Sequence, residues 1–206
     1  MKEPRAVVAI IDDDKAVREA LEGLLETVAL KADLFGSVEE FLKAGKSRPP
    51  NCIVLDVRLP GPSGLDFQAQ LASANNHTPI VFITGHGDIP TSVRAMKAGA
   101  IEFLTKPYRD QELLDAIRRG IEHDCAGRAA EQAIAEIRDR FASLTRRERE
   151  IMAFIATGRC NKRIAGQMGI SEVTARVHRK QVMRKMGARS VADLVRMADK
   201  LSGQST

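Results

Sequence analysis

The chain has 206 residues, 44% hydrophobic and 29% charged, an ordinary globular composition that argues against a disordered chain and leaves room for two modest domains. Its longest apolar runs fall far short of the roughly 20 residues that a membrane-spanning helix needs, and Met1–Arg5 leads directly into a short strand and three aspartates, so no signal peptide, no membrane contact and a cytoplasmic location are expected. The net charge of +5 is unevenly spread: residues 1–123 carry 15 Lys and Arg against 18 Asp and Glu, residues 124–140 three against four, and residues 141–206 carry 14 against 5, so the C-terminal end suits a polyanionic partner.

Taken in chain order, Val7–Ile11, Cys52–Leu55 and Ile80–Ile83 are short apolar runs of the kind found in central parallel strands covered on both faces, and Lys31–Phe35 and Glu102–Thr105 are weaker strand candidates. Helical spacing predicts Ala16–Thr27, Val38–Ala44, Gly64–Ala72, Thr91–Ala98 and Gln111–Glu122 between and after them. Five βα units with right-handed crossovers give an α/β fold, a five-stranded doubly wound parallel sheet with its function at the carboxyl ends of the strands. The segment 120–140 is rich in Ala, Glu, Gln and Arg, with Ile134, Ile137 and Phe141 at helical spacing. A helical linker is expected, broken or bent near Gly120 and Gly127, each of which costs a helix about 1 kcal/mol relative to Ala. From Ser143 the pattern becomes four short helices, opened by Thr145 with Glu148, by Asn161, by Ser171 and by Ser190, and stopped by glycines after the first three. The expected division is 1–124, a linker over 125–140, and a small all-α domain over 141–206. Cys52, Cys125 and Cys160 are widely separated and lack metal-ligand spacing, as expected of reduced, incidental thiols.

The chemistry lies at the strand ends. Asp12 and Asp13 follow the first strand and Asp56 the third, which are neighbours in such a sheet, so three carboxylates converge. Crowded carboxylates call for a hard divalent cation, Mg²⁺ or Mn²⁺. Thr84 ends the fourth strand and Lys106 follows the fifth, adding a hydroxyl and an ammonium to the same rim. Carboxylates, metal, hydroxyl and ammonium together suit phosphoryl transfer. Taken singly, the aspartates read equally well as caps or turns, and Thr84 and Phe103 as structural. A phosphatase of the haloacid-dehalogenase type is a rival on Asp12-x-Asp14, but Lys15 and Ala16 depart from that pattern and a basic helical module goes unexplained.

The run Val54-Leu55-Asp56-Val57-Arg58-Leu59-Pro60, the aspartates 12 and 13, Thr84, and the Lys106-Pro107 step resemble the receiver domain of two-component response regulators. That resemblance implies a flavodoxin-like fold and Asp56 as phosphoacceptor. It also implies Mg²⁺ held by Asp12, Asp13, Asp56 and the carbonyl of Arg58, Thr84 and Lys106 on phosphoryl oxygens, and Phe103 as an aromatic switch. The segment Ser143–Glu150, then Asn161-Lys162-Arg163-Ile164-Ala165, then Ile170–Arg179 resembles the LuxR-type helix-turn-helix. Cys160 stands where that family usually has Ser, and Ala175 where it usually has Val. Together the two halves resemble the FixJ/NarL class of regulators, and residues 86–104 are similar in particular to FixJ-type proteins and styrene-catabolism regulators.

By that resemblance Arg176, Val177 and Lys180 face bases in the major groove, while Asn161, Lys162, Thr174 and His178 meet the DNA backbone. Arg184 and Lys185 read as a solvated basic face, and Val173, Val182, Met183 and Met186 as core. The implied partners are a sensor histidine kinase, double-stranded promoter DNA, RNA polymerase and, once phosphorylated, a second copy of the chain. The face of the fourth helix and fifth strand would pair the receivers, and Val191, Leu194 and Val195 the DNA-binding domains. The protein is expected to be a regulator, not an enzyme.

Overall fold

A computed structural model describes residues 6–45, 49–85 and 87–203. Met1–Arg5 and His86, used in the reading above, lie outside the described residues. The chain divides into two compact units, Met1–Gly127 and Arg128–Thr206.

In the first unit five strands, β1 (Val7–Ile11), β2 (Lys31–Phe35), β3 (Cys52–Asp56), β4 (Ile80–Thr84) and β5 (Glu102–Thr105), form one parallel sheet in the order β2-β1-β3-β4-β5. The helices α1 (Lys15–Thr27), α2 (Val38–Lys43), α3 (Gly64–Ser73) and α4 (Ile89–Lys97) connect them. The three central strands are apolar without alternation because both faces are covered. Ile11, Ile53, Leu55 and Phe82 pack on one side with Phe35, Phe67 and Leu71. Val8, Ile10, Val54 and Ile83 pack on the other with Leu21, Leu25, Leu113 and Ile117. Caps set the helix starts: Asp14 accepts from the N–H groups of Ala16 and Val17, and Ser63 with Asp66 forms a capping box on α3. Asp14, the third of the aspartates after β1, is thus the helix cap.

The helix α5 runs unbroken over 33 residues, Asp110–Ala142, in place of the break expected near Gly120 and Gly127. Gly120 is there for packing: a Cβ at that position would lie 2.7 Å from Cys52 Sγ. The close approach to β3 explains the glycine without any interruption of the helix.

The second unit holds α6 (Arg146–Ala156), α7 (Asn161–Met168), α8 (Glu172–Met186) and α9 (Val191–Ser202). Its core is built from Leu144, Ile151, Ile155, Ile164, Ala175, Val182, Met186 and Leu194, with Ile137 and Phe141 from the end of α5 packed in. Gly169 and Gly187 end α7 and α8 in the left-handed conformation, at φ 65° and 68°, which glycine adopts without a steric cost.

Candidate functional site

The register Ile11↔Leu55 between β1 and β3 places Asp12 and Asp56 side by side at the carboxyl edge of the sheet. Both are buried, and Asp13 beside them is exposed. Carboxylate oxygens of the three lie within 4.8 Å of one another. Lys106, delivered by β5, reaches across: its Nζ donates to Asp12 Oδ2 at 2.7 Å and to Asp56 Oδ2 at 2.9 Å. The N–H of Arg58 donates to Asp56 Oδ1 at 2.8 Å, and the N–H of Asp14 to Asp12 Oδ1 at 2.9 Å.

Burial pushes the Asp56 carboxyl above its ordinary value, against the pull of the Lys106 ammonium and the Arg58 N–H. Burial alone would lower Lys106, but the hydrogen bonds to Asp12 and Asp56 prevail and hold it above the usual lysine value. An oxygen-only donor set around two buried carboxylates and one exposed one fits a hard divalent cation.

Thr84 is fully buried at the end of β4, and its carbonyl accepts from the Lys106 N–H at 2.7 Å, so strand pairing fixes the lysine backbone against it. Phe103 is half-buried against Phe82, with ring centroids 6.1 Å apart. Two structural partners carried no signal in the sequence. Arg18 on α1 donates to the carbonyl of Asp12 at 2.6 Å, bracing the loop from behind. Gly64 opens α3 so close to the site that a Cβ would fall 2.4 Å from the carbonyl oxygen of Asp56.

On α4, Ile89, Val93 and Met96 are 79%, 45% and 43% exposed and, at spacings of four and three residues, form an apolar stripe on its outer face. The inner face is held by Gln68 of α3, whose buried amide donates to the carbonyl of Ala95 at 3.1 Å.

In the second unit, Gly169, Ile170 and Ser171 link α7 to α8 in a helix-turn-helix. Lys162, Thr174, Arg176, Val177 and Lys180 are exposed, and Asn161 and His178 are half-buried. Thr174 Oγ1 lies 2.8 Å from the capping Ser171 Oγ. Asn161 Oδ1 and the carbonyl of Arg159 each accept from Arg179 at 3.4 Å, tying the start of α7 to the middle of α8.

Three expectations require correction. Val173 is 69% exposed because its spacing aligns it with Val177, outside the buried stripe of Ala175, Val182 and Met186. Lys185 is no free surface cation: its Nζ donates to the buried Glu148 at 2.7 Å. Leu194 is fully buried in the core of its own unit, so it offers no pairing surface. Cys160 occupies the N-cap of α7 with no side-chain hydrogen bond, the physical consequence of its standing in place of a serine.

The family model of the response regulator receiver domain matches residues 8–118, and that of bacterial regulatory proteins of the luxR family matches residues 142–198. The chain belongs to the response regulators. Nodulation protein W of Bradyrhizobium diazoefficiens is 48% identical over 197 residues, covering 96% of this chain and 87% of its own length. The transcriptional regulatory protein FixJ of Azorhizobium caulinodans is 43% identical over 191 residues, covering 93% of this chain and 90% of its own. Among solved structures the response regulator StyR, at 44% identity, superposes with a TM-score of 0.86 over 96% of this chain and 100% of its own. This response regulator therefore joins a receiver to a LuxR-type DNA-binding domain, as a two-component transcriptional regulator of the FixJ class. No helix among its described residues is long and apolar enough to cross a membrane.

Proposed function

We propose that Asp56 is the phosphoacceptor of this regulator and that its phosphorylation by a sensor histidine kinase controls promoter binding. The observation that carries the reading is the Lys106 ammonium bonded at once to Asp12 and Asp56, at 2.7 and 2.9 Å, beside the third carboxylate of Asp13. In the proposed transfer an Asp56 carboxylate oxygen attacks phosphorus, the bond from phosphorus to the kinase imidazole nitrogen breaks, and the imidazole leaves. Asp12, Asp13, Asp56 and the Arg58 carbonyl would hold Mg²⁺ or Mn²⁺, which when bound neutralises phosphoryl oxygen charge. Lys106 exchanges an Asp56 oxygen for a phosphoryl oxygen. Thr84 moves out from its buried position to donate to another, and Phe103 turns into the space vacated.

The exposed stripe of Ile89, Val93 and Met96 supports pairing of two phosphorylated receivers through α4 and β5. A paired regulator would read two half-sites about one helical turn apart. Arg176, Val177 and Lys180 are assigned to base edges; Asn161, Lys162, Thr174 and His178 are assigned to phosphates. The exposure of Val173 beside Val177 adds it to the DNA-facing surface. The protein acts as a regulator in the cytoplasm, not as an enzyme, with RNA polymerase at the promoter as its downstream partner. Incubation with acetyl phosphate and Mg²⁺ followed by intact mass measurement tests the site: wild type gains one phosphoryl group and Asp56→Asn gains none, whereas full labelling of Asp56→Asn removes the assignment.

A further inference from the structure

His178 lies on α8 between Ala175 and Val182, both fully buried, and so fills a position in the inward stripe of that helix. Its Nδ1 is buried with no hydrogen-bond partner among the described residues, whereas the ring as a whole is half-buried, leaving the Nε2 edge accessible. A neutral imidazole carries one N–H, and the surroundings decide which nitrogen bears it. With the proton on Nδ1, a donor would be sealed in the core without an acceptor, and the bare lone pair of Nε2 would face the phosphates. With the proton on Nε2, the core holds only an unused acceptor, which buried protein tolerates better than an orphaned N–H.

We infer that His178 is a one-tautomer, directional donor: Nδ1 stays bare inside the helical core and Nε2–H is presented outward to a DNA phosphate oxygen. The inference rests on the assignment of α8 as the DNA-contacting helix and adds to it the atom, the direction and the tautomer. Packing around the His178 ring thereby sets the aim of the contact, since Nδ1 has no hydrogen bond among the described residues to orient it.

The inference is tested on the full-length chain in two ways. Long-range proton–nitrogen NMR of the ¹⁵N-labelled protein at neutral pH, with His178 assigned by the signal lost in His178→Gln, is expected to give a pyrrole-type Nε2 and a bare, pyridine-type Nδ1. A protonated Nδ1 overturns the inference. The second test is binding to a labelled random-sequence duplex at low salt, since phosphate contacts do not depend on sequence. His178→Gln places an amide NH₂ near the Nε2 position and is expected to keep affinity within about threefold, while His178→Asn, which mimics the Nδ1 side, loses about tenfold or more. Equal losses in both variants, or none in either, overturn the directional donor. Arg176→Ala and Lys180→Ala binding this duplex as wild type would instead bring down the assignment of α8 itself, leaving the tautomer to stand or fall by NMR. Thermal melts check folding, and if His178→Asn melts low the NMR result alone decides.

Discussion

Cys160→Ser is expected to stabilise the DNA-binding unit. Cys160 sits at the N-cap of α7 with φ −76° and ψ 161°, nearly the angles of the capping Thr145 (φ −65°, ψ 163°) and Ser171 (φ −70°, ψ 155°). The backbone is therefore already in the conformation a capping side chain needs, and no rearrangement opposes the gain. A serine Oγ at this position would accept from the N–H of Arg163, three residues on, which the cysteine side chain leaves without a cap bond. Supplying a missing N-cap acceptor contributes about 1 kcal/mol, within a range of about 0.5–2. For a unit of this size, 1 kcal/mol raises the melting temperature by about 4–8 °C. Scanning calorimetry on the full-length protein measures it directly, and Cys125→Ser is the matched control. Cys125 is exposed within α5, where serine caps nothing and has a helix propensity close to that of cysteine, so little change is expected. If Cys160→Ser leaves the melting of the second unit unchanged or lowers it, or if the two substitutions act alike, the capping argument is wrong.

Three further outcomes follow from the same structure. The Lys185 ammonium and the Thr145 N–H hold Glu148 below its ordinary value of 4.5. Its carboxylate therefore contributes stability in full above that value and loses it as pH falls through the depressed folded value. The gap in urea midpoint between wild type and Glu148→Gln should accordingly narrow on acidification below 4.5; a pH-independent gap contradicts it. Ile89→Glu places a charge in the most exposed part of the α4 stripe and should leave the acetyl-phosphate-treated protein monomeric by sedimentation, with labelling of Asp56 intact; a dimer of unchanged affinity excludes the stripe as the contact. Arg176→Ala should weaken binding by roughly 1–3 kcal/mol at one base position of a selected site; a uniform loss over all sequences would make Arg176 a phosphate contact.

Much of the first unit was legible because its strands are short, apolar and buried on both faces. Val7–Ile11, Lys31–Phe35 and Glu102–Thr105 have the predicted ends, and Asp56 and Thr84 each prove to be the last residue of the strand they were expected to follow or close. The acidic cluster was legible for the same reason, since parallel topology alone makes the ends of β1 and β3 adjacent. What escaped depends on contacts between residues remote in sequence. Nothing local distinguishes Lys185 from Arg184, yet Lys185 lies over the buried Glu148 while Arg184 stays in water. Gly120 looked like a helix breaker because its reason, the sulfur of Cys52, lies on another element. Arg18 reads as one more charge on an amphipathic helix, because its target is a backbone carbonyl that no side-chain pattern reveals. Leu194 and Val191 share a helical face on a wheel, and only the packed bundle decides that Leu194 is enclosed.

The bond from Lys106 to Asp12 joins groups 94 residues apart, and that from Lys106 to Asp56 spans 50. During synthesis Asp12, Asp13 and Asp56 emerge well before the Lys106 ammonium, which arrives with the last strand and reaches them only once β5 has docked on β4. A nascent or clipped chain ending short of that strand owns the aspartate but lacks the cation that steadies it. On the proposed assignment of Asp56 as phosphoacceptor, competence to receive a phosphoryl group would wait on the finished sheet.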